Sequence, residues 1–152
     1  MEKVMKKRFF IMFIIMSLSA MVFAAEADKY ITDLDPAKDE STIIKAADWV
    51  GEKQEKNAAD KLVNLLSDSR YKVRLHAVMA LGFIGEEKYL DAINNVFLND
   101  KNPHVRYTAL LSAMKIGSEK SIPVWEKAKQ TETDPFIKDL LTKLEEKKKG
   151  KK

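Results

Sequence analysis

The sequence predicts an all-α protein, a right-handed α-solenoid of about three helical hairpins closed by a C-terminal helix. Three observations carry the prediction. First, a frame returns: "VRLHAVMALGFIG" (Val73 to Gly85) recurs thirty-two residues later as "VRYTALLSAMKIG" (Val105 to Gly117). Apolar or small residues stand at offsets 4, 7, 8 and 11 from each valine, a spacing that only a helix gathers on one side. Second, Gly85 and Gly117 close the two copies and Gly51 closes "IIKAADWVG", each where a helix needs a residue that accepts a left-handed backbone to stop. Third, Asp35-Pro36, Ser69-Arg70, Asn102-Pro103 and Asp134-Pro135 place an N-cap before a first helical residue at spacings of 34, 33 and 32.

The elements follow in order. Residues 1–24 read as a secretory signal: Lys3, Lys6, Lys7 and Arg8, then the uncharged run from Phe9, then small residues at Ala24 and Ala25, with cleavage after Ala24. An uncleaved anchor is the lesser alternative, because the seventeen residues from Phe9 to Ala25 are at the lower limit for a bilayer core of about 30 Å. Residues 25–35 are expected to form a linker or a cap, with Tyr30, Ile31 and Leu34 over the first hairpin. Units of 36–69, 70–102 and 103–134 follow, then a helix from Pro135 to about Lys147 striped by Ile137, Leu140, Leu141 and Leu144. Together, 36–146 form one repeat domain.

The second segment of each unit repeats its own anchors. Ala59, Leu62 and Leu65 match Leu90, Ile93 and Val96, and these match Ile122, Trp125 and Ala128. Pro123 lies in a first turn, where its missing N–H removes no intrahelical bond. A period in the low thirties built from two helices is the pattern of a solenoid, in which each hairpin buries its apolar face by stacking on the next.

Charge sits at the ends. Loss of residues 1–24 removes four basic residues and Glu2, so the formal +4 falls to +1. Five lysines of "KKKGKK" account for more than the remainder, leaving −4 for residues 25–146. A mildly acidic body without a clustered basic face excludes a nucleic-acid partner. The chain has no cysteine, so an exported fold must be held by packing alone and no lipid can be attached through a thiol. Residues 147–152 are expected to form a disordered basic tail. Lys147, Lys148, Lys149, Lys151 and Lys152 offer at most a weak contact with an anionic lipid or wall polymer.

"DSRYKVRLHAVMALGFIG" (Asp68 to Gly85) and "DKNPHVRYTALLSAMKIG" (Asp100 to Gly117) resemble the HEAT-like repeat in their acidic residue, Val-Arg pair, spaced small residues and closing glycine. The likeness covers residues 36–146 and fades in the outer units, where Glu40 falls at the arginine position and Ile137-Lys138 replaces Val-Arg. The resemblance implies that Arg74 and Arg106 each pair with an acidic residue near a neighbouring turn, Asp68 or Asp100, as rungs that keep repeats in line.

Chemistry is sparse. His76 and His104 have no companion at ligand spacing, so neither a metal nor any other cofactor is expected. No thiol, "GxSxG" elbow or glycine-rich phosphate loop is present, and the carboxylates fall on polar faces and in turns. Trp49 and Trp125 stand at helical spacing and read as core. By the helical phase that buries Leu62, Ile93 and Trp125, the side chains of Asn64, Asn95 and Lys127 turn outward, and Asp60 and Asp91 join them one turn earlier. These five residues are the candidate partner-binding stripe, on second helices expected to line the concave side. The expectation is an exported, non-enzymatic module that binds a protein or peptide, in a bacterial periplasm or outside the cell. Its alternatives are a module held at the envelope surface by the lysine tail and an accessory subunit of an envelope enzyme. Chromophore lyases and base-excision glycosylases are related HEAT-like families, but export and the missing reactive groups argue against either activity.

Overall fold

The structure, a computed structural model, describes residues 21–149, and within them it is helical throughout with short connections. Helix α1 covers residues 21–33. It is followed by α2 (Glu40–Lys53), α3 (Ala59–Leu65), α4 (Tyr71–Ile84) and α5 (Leu90–Asn99). The last three are α6 (Pro103–Ile116), α7 (Ile122–Thr131) and α8 (Pro135–Lys149). The hairpins α2–α3, α4–α5 and α6–α7 stack in chain order, an α-solenoid with α1 before them and α8 after.

Helix ends follow the local chemistry, with three departures from the sequence reading. Helix α2 starts at Glu40 rather than Pro36, because Asp39 is the stronger cap: its carboxylate accepts the Thr42 N–H at 3.0 Å and the Ser41 and Thr42 hydroxyls at 2.6 Å each. Those bonds, led by the Ser41 hydroxyl, hold the Asp39 carboxyl well below the usual carboxylate range. Helix α4 is preceded by Arg70 rather than capped by Ser69, and the Arg70 N–H is taken by Asp68 at 2.8 Å.

Gly51 is not a stop. It lies buried inside α2, and the left-handed residue is Gln54 (φ 52°). A Cβ at Gly51 would sit 3.0 Å from the Cα of Ala80, so glycine is there to let α4 approach. Gly85 and Gly117 do stop their helices, both at φ 74°. Each second helix enters through a 3₁₀ turn: Lys56–Ala58, Glu87–Tyr89 and Glu119–Ser121.

Small residues on the first helices bring α2, α4 and α6 into close array. A Cβ at Gly82 would lie 2.6 Å from the Ser112 Cβ, and Ala77, Ala80, Ala109 and Ala113 are buried along the same seam. The first helices form the more closely packed layer, and α5 and α7 meet more sparsely. Between the layers Phe97, Leu62, Leu65, Leu81, Leu90, Ile93 and Leu110 are fully buried. Each such side chain removed from water contributes about 1.5–3 kcal/mol.

The ends divide, one following expectation and the other not. Of the two alternatives for residues 25–35 the structure has the cap, with 25–33 helical, Leu34 buried and Tyr30 and Ile31 packed against the core as expected. The sequence reading of residues 1–20 lies outside the described residues, while α1 runs unbroken across Ala24 and Ala25. At the other end, Lys147 to Lys149 belong to α8 rather than to a disordered tail. Glutamates at 145 and 146 followed by lysines are good helix formers and favour continuation.

Candidate binding surfaces and the ladder beneath them

The repeat boundaries are crossed by arginine. Arg74 donates from Nε and Nη2 to the two oxygens of Asp100 at 2.6 and 2.9 Å, and from Nη1 to the carbonyls of Asp68 and Ser69 at 2.8 and 3.1 Å. Arg106 repeats the arrangement one unit on. It donates to Glu132 at 2.9 and 2.7 Å and to the carbonyl of Asp100 at 3.0 Å.

The pairs are sequestered, with side-chain exposure of 6% and 5% for Arg74 and Asp100, and 14% and 5% for Arg106 and Glu132. Burial opposes the charge of Asp100 and of Glu132. The facing guanidinium and the nearby backbone N–H groups outweigh it and hold both carboxyls below their ordinary values. The same bonds raise Arg74 and Arg106.

This corrects the expected partners in two respects. The acidic rung for Arg106 is Glu132, and the Asp100 contribution to Arg106 is a carbonyl. The Asp68 carboxylate is taken by Arg70, at 2.8 and 2.7 Å, and serves Arg74 only through its carbonyl. Arg70 also donates to the carbonyls of Lys38 and Pro36 at 2.8 and 3.0 Å, so at the first boundary the arginine reaches backward. Glu40, at the arginine position of the first unit, faces Lys72 at 3.7 Å. Sequence reasoning missed Glu132 and Arg70. The signal for Glu132 was present, since Asp68, Asp100 and Glu132 are spaced by thirty-two residues each.

Over the ladder, the C-terminal edges of the second helices form two grooves in register. One, of about 350 Å³, is lined by Leu66, Ser67, Ser69, Asn95, Asn99 and Lys101 over Arg74. The other, of about 190 Å³, has Leu98, Ala128, Thr131 and Thr133 over Arg106. The five residues expected as the partner-binding stripe, Asp60, Asn64, Asp91, Asn95 and Lys127, are all exposed, but only Asn95 lines one of the grooves. Two of them carry structural bonds as well: Asp60 accepts from the Tyr89 hydroxyl at 3.0 Å, and Asn95 accepts from the Asn99 amide at 2.8 Å.

The exposed large apolar side chains of the stacked helices lie elsewhere. Tyr71, Phe83, Tyr107, Leu111 and Phe136 all belong to α4, α6 and α8, and Phe136 is 79% exposed. Phe136 and Tyr107 flank a cleft of about 460 Å³ between α6 and α8. Sequence reasoning did not single out this face, because exposed aromatics share the helical spacing of core ones.

The remaining candidates are placed plainly. His76 lies 2.5 Å from Asp48, bridging α4 to α2. His104 is exposed in the first turn of α6, its backbone N–H given to Asn102 at 2.9 Å. Among the described residues no group of histidines and carboxylates is arranged to hold a metal. Trp49 is half-buried and stacks on Tyr30 with ring centres 4.7 Å apart. Trp125 is also half-buried rather than core: it lines an apolar groove of about 130 Å³ with Ile122, Leu141 and Leu144, and its buried Nε1 has no acceptor.

Comparison with known proteins agrees with this architecture. The family model for HEAT repeats matches residues 31–96 and 59–143. No curated protein matches the sequence. A solved structure, the complex of CpcE and CpcF of phycocyanin lyase from Nostoc sp. PCC7120, is similar at 27% identity with a TM-score of 0.61. The match covers 66% of this chain and 41% of that one, so this chain spans less than half the length of that relative.

Proposed function

We propose, on the premise that this chain belongs to the HEAT-repeat family, that it is an exported, non-catalytic module whose second-helix face binds a protein or peptide. HEAT-repeat solenoids typically mediate protein interaction. The observation that carries the reading is the pair of polar grooves repeated in register over buried Arg–carboxylate pairs. The buried pairs fix the spacing of the grooves, while amides, hydroxyls and Lys101 at their rims offer hydrogen bonds to an incoming chain. A rigid surface of this kind loses little conformational entropy on binding.

The test is a charge-reversing variant, Asn64→Glu, Asn95→Glu and Lys127→Glu, compared with wild type in affinity capture from the native envelope. All three side chains are exposed, so the melting profile is expected to stay near wild type while capture is lost. Equal capture by the variant overturns the second-helix assignment.

A second reading, an accessory subunit of an envelope enzyme, is favoured by one observation: the similar solved structure is a complex of two subunits of a lyase. In that reading the exposed Tyr107 and Phe136 on the first helices meet the enzyme.

A further inference from the structure

Four clefts of the solenoid carry a basic side chain in their own walls: Arg74 and Lys101 in one second-helix groove, Arg106 in the other, Lys143 between α6 and α8, and Lys129 beside Trp125. A further cleft, of about 270 Å³ between α2 and α4, has two carboxylates in its lining and no basic residue.

This cleft follows from the seam beneath it. Ala47 and Gly51 lie one turn apart on α2, where Ala80 of α4 meets them, and because all three are small and buried they make a floor. Met79 and Phe83, one turn apart on α4, form the apolar wall, and Phe83 is 39% exposed. Asp48 and Glu52, one turn apart on α2, supply the charge. Asp48 meets His76 Nδ1 through one oxygen, at 2.5 Å, while the exposed Glu52 carboxylate has neither hydrogen bond nor ion pair among the described residues.

An acid-rimmed apolar trough is complementary to one kind of side chain. Lysine lays its aliphatic stem along apolar surface and keeps its charged head among polar groups. The Phe83 ring already receives one ammonium, that of Lys115, 4.5 Å from its centre, and Lys115 is not part of the cleft lining. The volume is below the range of sites for drug-sized molecules and suits a single side chain.

We propose that the cleft between α2 and α4 takes a lysine side chain of a partner polypeptide, its stem against Met79 and Phe83 and its ammonium at Asp48 and Glu52. The inference goes beyond the function proposed above. It concerns the first-helix face, so the outcome of the second-helix capture experiment neither supports nor removes it.

The test follows the methyl resonance of Met79 by NMR in the full-length chain with isotope-labelled methionine methyl groups. Two probes are titrated at low salt: the capped peptide Gly-Gly-Lys-Gly-Gly, and the same peptide with its lysine Nζ acetylated. The lysine peptide is expected to shift the Met79 resonance saturably and the acetylated peptide to leave it in place. Glu52→Gln should weaken the lysine peptide severalfold, and Glu52→Lys, which tethers an ammonium at the rim, should abolish the response. Position 52 is exposed, so both variants are expected to keep the wild-type methyl spectrum without peptide. Equal shifts from the acetylated peptide, no shift at Met79, or unchanged affinity in Glu52→Gln each overturn the proposal.

Discussion

Arg106 and Glu132 join the first turn of α6 to the segment after α7 through two hydrogen bonds, at 2.9 and 2.7 Å. Arg74 and Asp100 join α4 to the end of α5 in the same way one repeat earlier. Asp134 and Thr133 N–H groups add to Glu132 at 2.8 Å each, so the carboxylate is fully engaged. Removal of one partner strands the other charge in a buried site.

Arg106→Ala is therefore expected to destabilise the fold by about 3 kcal/mol. Double-mutant cycles in chemical denaturation should find strong coupling to Glu132→Ala and little to Asp68→Ala, whose carboxylate belongs to Arg70. Equal coupling to both would remove Glu132 from the ladder.

Acid should loosen the same joints. Asp68, Asp100 and Glu132 have folded-state pKa values lowered from ordinary values of 3.8, 3.8 and 4.5. The unfolded chain thus takes up protons first as pH falls, and the stability these groups contribute is complete above the ordinary values and lost as pH drops through the lowered ones. Melting temperature is expected to be level from about pH 7 to pH 5 with respect to these groups and to fall below about pH 4. A variant with Arg74→Met and Asp100→Leu together should show a shallower acid slope, and an identical slope would show that the ladder does not set it.

Gly82→Ala should be costly although alanine is the better helix former. The new Cβ would meet the Ser112 side chain at 2.6 Å and its Cα at 2.8 Å, so α4 and α6 must separate. A loss of about 1–3 kcal/mol is expected for such overpacking, whereas Gly82→Ala combined with Ser112→Gly should recover part of it. Calorimetry distinguishes the two.

Removal of residues 147–152 tests the lysine end. Melting should change little, because the α8 residues that enter the core, Ile137 and Leu141, lie well before the cut. If the lysines hold the module to an anionic surface, binding to phosphatidylglycerol vesicles at low salt should disappear with them. Retained binding would place that contact elsewhere.

Most of the fold was legible in the sequence because one physical rule, a 3.6-residue stripe closed by a cap, was written three times. The hairpins, Gly85, Gly117 and the cap at Asn102 follow from it directly. Gly51 misled because a glycine near a helix end serves either a left-handed turn or a close approach, and only the neighbouring Ala80 decides which. Asp35-Pro36 misled because the Asp39 carboxylate finds more donors, the Ser41 and Thr42 hydroxyls and the Thr42 N–H. The outward placement of Asn64, Asn95 and Lys127 followed from helical phase alone. The exposed aromatic face at Tyr107 and Phe136 did not, since it depends on where α8 lies across α6.

The direction of the arginines has a consequence for how the protein comes into being. Arg74 must wait twenty-six residues for Asp100, and Arg106 the same interval for Glu132, whereas Arg70 finds its carbonyls in chain already made. As the polypeptide emerges from its amino end, the first repeat can be locked as soon as Arg70 appears. Each of the two later repeats stays unlatched until its own closing residues, Asp100 or Glu132, have been synthesised. The chain is thus completed in one direction, the first repeat sealed by its successor and the later two by their own last carboxylates.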